Sequence, residues 1–120
     1  MPRNARQEGY SRRHRFSAPG AFGPVLRGNR KVRGPLVVIH ASPGRGTSSR
    51  FGVALTRRLV ASSVDRNAVR RLAREAFRRH AIKRAGLDCV VMLRGRYEPR
   101  QAQALAAEIR ALLDQLVAQK

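Results

Sequence analysis

One amphipathic helix, predicted over residues 65–85, is the feature of the sequence that most constrains the fold. At about 100° per residue, its apolar side chains share an arc of roughly 140°. The members of this arc are Val69, Leu72, Ala73, Ala76, Phe77 and His80. Asp65 is placed to act as the N-cap, and Gly86 stands where a C-terminal cap belongs. The pattern therefore predicts a long helix that packs one face on a core.

The other side of this helix carries a strip of side chains that are nearly all basic. We call it the arginine strip, and it consists of Asn67, Arg70, Arg71, Arg74 and Arg78. Arg66 lies in the first turn, from which its side chain can swing toward a ligand at the helix start. Glu75, the single acid within the strip, stands at ion-pair spacing from both Arg71 and Arg79. Because arginines on one strip repel each other unless an anion neutralises them, we interpret the strip as a surface that follows nucleic-acid phosphates rather than as a merely solvated face.

Strands and further helices are predicted on both sides of this helix in the chain. Residues 36–41 and 87–93 are apolar runs typical of buried strands, and residues 50–56 alternate like a strand with one buried face. We expect strands 36–41 and 50–56 to pair antiparallel across the loop between them. Pro99 is placed to open a final helix, whereas two prolines and two glycines predict only a broken or one-turn helix within residues 16–26. The predicted fold class is α+β, a two-layer sandwich in which a small sheet packs on helices.

The net charge points to a polyanionic partner. The chain has 26 Lys plus Arg against 7 Asp plus Glu, a formal charge of +19, and all but three of the 26 are arginines. Arginine binds phosphate with a planar fork of donors, and a charge of this size disfavours a compact monomer unless an anion offsets it. Residues 1–14 contribute arginines but almost no apolar side chains, so we interpret them as a flexible basic arm before a single domain over residues 15–118.

Composition also excludes several classes of protein. A hydrophobic content of 42% is that of a globular domain rather than of a wholly disordered basic tail. Cys89 is the only cysteine, which excludes an internal disulfide, argues against a cysteine-based zinc site and favours a reducing, intracellular setting. No apolar run approaches the ~20 residues of a membrane span. We therefore expect a small, soluble, cytoplasmic protein that binds nucleic acid and has no contact with a membrane.

The side chains needed for hydrolysis are not grouped along the chain. His14, His40 and His80 are dispersed, and the seven acids form no cluster suited to a pair of metal ions. We therefore predict no catalytic residue and no direct metal ligand in this chain.

The segment that runs from the second predicted strand into the long helix resembles the protein subunit of bacterial ribonuclease P. That family has a strand ending in a basic pair, a short connector, and a helix that opens with an Arg-Asn-Arg signature. The matching residues are 51–58, 61–67 and 70–78, and upstream Arg15, Phe16, Phe22, Val25, Leu26 and Gly28 echo the family's N-terminal pattern. The resemblance covers residues 15–116. It departs from the family at Ala68, which replaces the second arginine of the signature, and at Ile39, near the position of a frequent aromatic residue.

The resemblance implies a fold like the second domain of the fifth small-subunit ribosomal protein. The implied element order is α-β-β-(β)-α-β-α, with a left-handed βαβ crossover against the usual rule. It also implies that the chain is the protein subunit of an endoribonuclease whose RNA subunit performs the catalysis and removes the 5′ leader of precursor tRNA. The implied partners are ribonuclease P RNA, bound 1:1 by a monomer, and precursor tRNA, and the implied cofactor is Mg²⁺, held mainly by the RNA.

By the same resemblance, eight residues are expected to contact RNA: Arg57, Arg58, Arg66, Asn67, Arg70, Arg71, Arg74 and Arg78. Phe22 is expected in the cleft that holds the leader. Two alternatives stay open, because Asn67 also suits local hydrogen bonding at the helix start and Phe22 also suits plain core packing. The alternative function is a non-catalytic RNA-binding protein, such as a ribosomal protein or an RNA chaperone. A major-groove DNA binder fits less well, because strands rather than a partner helix flank the long helix.

Overall fold

Four strands form one mixed sheet in the computed structural model, which describes residues 22–28, 30–44 and 46–119. The strands are β1 (Arg30–Arg33), β2 (Val37–Pro43), β3 (Arg50–Ala54) and β4 (Leu87–Leu93), and their order in the sheet is β1-β2-β4-β3. β2 pairs antiparallel with both β1 and β4, whereas β3 pairs parallel with β4. The predicted basic arm, residues 1–14, and the start of the first predicted helix, residues 16–21, lie outside the described residues.

The predicted direct pairing of the strands that became β2 and β3 is wrong. β4 lies between them and hydrogen-bonds to both. β4 takes the central place because it is apolar on both faces, and Leu87, Cys89, Val90 and Val91 are all buried. β1 is an edge strand that the residue patterns do not locate, since Val32 is its only buried residue. Its charged side chains are typical of a protected sheet edge.

The described residues also form three α-helices: α1 (Phe22–Leu26), α2 (Ser63–Arg78) and α3 (Ala102–Gln119). α2 and α3 pack on one face of the sheet, which we call the main-core face, and there Phe77 of α2 stacks on Phe51 of β3 with ring centroids 4.6 Å apart. α1 packs on β2 and β4 from the opposite side, the second face, where Val25 and Val90 are buried. Pro24 is compatible with α1 because it stands in the first turn. The predicted α+β class is confirmed, and the order is α-β-β-β-α-β-α.

The start of α2 differs from the prediction. Ser62, three residues before Asp65, is the N-cap, and its Oγ accepts hydrogen bonds from the backbone N–H groups of Val64 and Asp65 at 3.1 and 3.3 Å. A serine oxygen in this position satisfies donors that the helix itself leaves unpaired.

The end of α2 also comes earlier than predicted. The helix ends at Arg78, and His80 has an extended backbone that begins a separate 3₁₀-helix, Ala81–Arg84. Gly86, with φ of 71°, therefore follows the 3₁₀-helix rather than the long helix. Pro99 likewise opens a 3₁₀-helix, Pro99–Gln101, which leads directly into α3.

β3, α2 and β4 form a βαβ unit that places α2 over the sheet with one side outward. The left-handed sense of this βαβ crossover, which the family resemblance implies, stays a prediction.

Candidate nucleic-acid interface

α2 presents the arginine strip on the side away from the core, as its periodicity predicts. Val69, Ala73, Ala76 and Phe77 are buried against the sheet and α3. Asn67, Arg71 and Arg74 of the strip are exposed, and Arg70 and Arg78 are half-buried. The helix-start hydrogen bonding considered for Asn67 is supplied by Ser62 instead. The folded chain therefore brings the strip to one continuous outward surface.

Glu75 ties together the C-terminal end of this surface. Arg78 donates two hydrogen bonds to its carboxylate, one from Nε at 3.0 Å, and Arg79 Nε donates a third at 3.3 Å. These bonds, those from Arg78 first, hold the pKa of Glu75 below its ordinary value. The predicted pair of Glu75 with Arg79 is confirmed, and the predicted pair with Arg71 is wrong. Arg71 forms no ion pair with any residue that the structure describes, so its charge is available to an external anion.

Arg66 folds back on the connector instead of swinging outward. Its Nη1 donates to the backbone carbonyls of Val60 and Ala61, at 3.0 and 2.8 Å. One terminal nitrogen is thus used within the protein, and it fixes the connector beside the start of α2.

The connector presents the basic pair on an anchored turn. Arg57 and Arg58 are both exposed. The turn that carries them is closed by Thr56, whose carbonyl accepts from the N–H of Val60 at 3.0 Å, and Val60 itself is buried. The pair therefore stands beside the helix start on a turn that is held at its base.

A second basic loop lies next to the connector, and it is not among the residues expected from the sequence to contact RNA. Residues 94–98 follow β4, and the N–H of Tyr97 donates to the carbonyl of Leu59 at 3.0 Å. Arg94 Nη1 donates to the carbonyl of Gly34 at 2.7 Å, and Arg96 is exposed. In the sequence, the two arginines of residues 94–98 are the feature that could have identified this loop, because the arginine strip is basic in the same way.

The second face of the sheet is also basic. Lys31 stands opposite His40 in the β1–β2 ladder, and Arg33 lies two residues farther along the same side. Burial first, then the charges of Lys31 and Arg33, lower the pKa of His40 from its usual 6.5. Phe22, the first residue of α1, is half-buried on this side of the molecule. An aromatic ring and several positive charges thus share one face.

Arg50 and Asp88 form a two-point ion pair on that face. Arg50 Nε donates to Oδ1 of Asp88 at 3.0 Å, and a terminal nitrogen donates to Oδ2 at 2.6 Å. Asp88 is buried, so this two-point contact joins β3 to β4 where the two strands pair. The side-chain hydrogen bond to Asp88 raises the pKa of Arg50.

His80 and Cys89, two side chains with reactive groups, occupy structural positions. His80 Nδ1 accepts from the N–H of Ile82 at 2.9 Å, and its Nε2 lies 2.6 Å from Oδ1 of Asp114, so this ring joins α3 to the turn after α2. Cys89 is fully buried, and burial raises the pKa of its thiol to about 12.

Within residues 22–28, 30–44 and 46–119, no three His, Cys, Asp or Glu side chains come together as metal ligands. Over the same residues, no helix has the length and apolar character needed to cross a membrane.

Comparison with known proteins gives one consistent result. The family model described as Ribonuclease P matches residues 10–117. The chain is 34% identical to the ribonuclease P protein component of Bordetella parapertussis over 105 residues, which cover 83% of this chain and 85% of that protein. It is 39% identical to the component of Burkholderia pseudomallei over 102 residues, which cover 78% of this chain and 74% of that protein.

Solved structures share the fold at lower sequence identity. The ribonuclease P protein of Thermotoga maritima superimposes with a TM-score of 0.66 at 20% identity, covering 88% of this chain and 96% of that one. The protein of Staphylococcus aureus gives a TM-score of 0.63 at 19% identity, covering 88% and 93%. At these identities the structural match establishes the fold alone.

Proposed function

The chain belongs to the ribonuclease P protein family, which acts in the maturation of tRNA 5′ ends, and we propose that it does so by binding both ribonuclease P RNA and the leader of precursor tRNA. The observation that carries this proposal is the arginine strip, a row of basic side chains that α2 holds outward from a well-packed core. A duplex or folded RNA presents phosphates at regular spacing, and arginines on one rigid helix can neutralise several of them together.

Each part of the surface has its own role in this proposal. Arg70, Arg71, Arg74 and Arg78 contact phosphates of ribonuclease P RNA, and Arg57 and Arg58 extend that contact along the connector. Arg66 holds the connector in place through Val60 and Ala61 and contacts RNA with its remaining nitrogens. The amide of Asn67 both donates and accepts, so it is suited to a base edge or to the water shell of a metal ion.

The second face of the sheet is the proposed place for the leader. An extended single strand needs positive charge for its phosphates and a ring on which a base can stack. Lys31 and Arg33 supply the charge, and Phe22 supplies the ring.

Catalysis in this proposal belongs to the RNA subunit. The described part of the chain offers no group of three metal-ligating side chains, so we assign the Mg²⁺ mainly to the RNA. The protein contributes by neutralising phosphates, which lowers the repulsion that the RNA and its substrate must overcome at low Mg²⁺. We further propose a cytoplasmic monomer that binds the RNA 1:1.

Reconstitution tests this function. The purified chain, mixed with a bacterial ribonuclease P RNA, is expected to permit cleavage of precursor tRNA at a Mg²⁺ concentration at which the RNA alone is inactive. Arg70→Gln/Arg74→Gln should lose most of that effect. Arg84→Gln/Arg110→Gln, which removes the same charge from exposed positions outside the strip, should keep it.

Two results would contradict the proposal. Cleavage that does not change with the wild-type protein at low Mg²⁺ would exclude a role in the holoenzyme. Tight, salt-sensitive binding without preference for precursor over mature tRNA would instead indicate a general RNA-binding protein, such as an RNA chaperone.

A further inference from the structure

A pocket of about 190 Å³ opens between the loop after β4 and the start of α3. Leu36, Leu93 and Leu105 form its apolar walls, and Tyr97 and Gln101 add an aromatic ring and an amide. These walls belong to the main-core side of the sheet, because the three leucines and Tyr97 are part of the main core or pack against it. The pocket is therefore separate from the second face, which carries Phe22.

We propose that this pocket receives the base of one unpaired nucleotide of ribonuclease P RNA. The inference rests on the proposed function and specifies how a part of the surface outside the arginine strip contacts the same RNA.

Size and lining favour a single base. A volume of about 190 Å³ is below the roughly 300–1,000 Å³ of sites for drug-sized ligands, and it suits one planar ring system. Apolar walls and an aromatic side chain are the surroundings that an unstacked base takes in RNA-binding proteins. Gln101 provides donors and an acceptor for a base edge.

The charge at the rim favours a nucleotide over an uncharged ligand. Arg94 and Arg96 line the pocket, and Arg94 is held in place by its hydrogen bond to the carbonyl of Gly34. Burial, and then the nearby Asp65 carboxylate, raise the pKa of Tyr97. A tyrosine phenol is already neutral at physiological pH, so the ring carries no charge that would repel a phosphate.

The pocket is linked to α2, which carries the arginine strip, through the connector. The backbone N–H of Tyr97 donates to the carbonyl of Leu59 at 3.0 Å, and Leu59 belongs to the connector that leads into α2. An RNA strand that runs along α2 and past Arg57 and Arg58 therefore reaches the pocket without crossing the sheet. This route favours ribonuclease P RNA over the leader, which we assign to the opposite face.

Tyrosine fluorescence tests the inference directly. The chain has no tryptophan and only two tyrosines, Tyr10 and Tyr97, so Tyr10→Phe leaves Tyr97 as the sole emitter. Adding ribonuclease P RNA should quench its emission in a saturable manner, because a base stacks on or beside the ring. Precursor tRNA alone should not, and free N-acetyltyrosinamide corrects for absorption by the RNA.

A pair of glycines supplies the matched variants. Gly95 lies in the pocket wall, and a Cβ added there meets no atom within 4 Å. The same is true of Gly46, which lies in the loop between β2 and β3 and is not part of the pocket. Both positions therefore leave open space where a side chain begins, so we use Gly95→Leu and Gly46→Leu as the pair. We expect Gly95→Leu to weaken binding of ribonuclease P RNA about tenfold, the size of effect seen when base stacking is removed, and Gly46→Leu to leave it unchanged.

Three outcomes decide the matter. Quenching together with a selective loss in Gly95→Leu supports the pocket. RNA binding of normal affinity without quenching, or with equal affinities for the two glycine variants, overturns the pocket and leaves the proposed function standing. A wild-type chain that does not bind ribonuclease P RNA overturns both.

Discussion

His40 lies on the second face of the sheet among like charges. Lys31 is its neighbour across the β1–β2 ladder, and Arg33 is on the same side of β1. Because burial and these charges disfavour the protonated ring, its pKa is lower in the folded chain than the 6.5 of an unfolded one. The unfolded chain then binds more protons than the folded chain over the interval just below pH 6.5. Above pH 6.5, His40 therefore does not change the free energy of unfolding. As the pH falls from 6.5 through the pKa of the folded chain, His40 lowers that free energy.

An NMR titration of the His40 ring checks this electrostatic account. The midpoint in the wild-type protein should lie below 6.5, and Lys31→Met should raise it part of the way back, since burial remains. Arg84→Met removes one charge at an exposed site in the 3₁₀-helix Ala81–Arg84, which contacts α2 and α3, and should not move it. A wild-type midpoint at or above 6.5 would contradict the arrangement of charges around the ring.

Single residues show where pattern reasoning succeeds and where it stops. The outward direction of Arg71 and Arg74 follows from helical periodicity, and the structure agrees. The contact of Arg66 with Val60 and Ala61 does not follow from periodicity, because it depends on the path of the connector. The same holds for Glu75, where two partners at different spacings compete for one carboxylate.

At the scale of elements, Ser62 sets the start of α2, and its removal is a direct test. Ser62→Ala should lower the free energy of unfolding by about 1 kcal/mol, since two helix N–H groups lose their acceptor. Ser63→Ala is the matched control at the next residue, which is exposed, and should change stability by less than about 0.5 kcal/mol. Urea unfolding measures both, and equal effects would mean that Ser62 is not the cap.

The order of the strands shows what local patterns leave open. β2, β3 and β4 are all recognisable from apolar runs or alternation, and the last helical segment is recognisable from the position of Pro99. Which strand occupies the centre depends on contacts far apart in sequence, here the pairing of Phe51 with Cys89 and of Ala41 with Cys89. A short loop between β2 and β3 favours a hairpin, but the apolar character of β4 on both faces outweighs it. The sequence does not predict β1, because its single apolar residue, Val32, gives no periodic pattern.

For the whole molecule, the net charge of +19 gives the sign of the partner but not the place of contact. The fold divides the charge of the described residues among several surfaces. These are the arginine strip, the connector, the loop after β4, and the second face of the sheet. Total charge predicts that any two arginines contribute alike to RNA binding, whereas our account predicts that those on α2 contribute more.

The salt dependence of binding to ribonuclease P RNA tests that claim most directly. The logarithm of the association constant should fall linearly with the logarithm of the salt concentration, because each neutralised phosphate releases counterions. Arg70→Gln/Arg74→Gln should flatten this slope by about one to two, and Arg84→Gln/Arg110→Gln should leave it as in the wild type. A slope that is unchanged in the strip variant, or equally flattened in both, would contradict the assignment of the arginine strip as the RNA-binding surface.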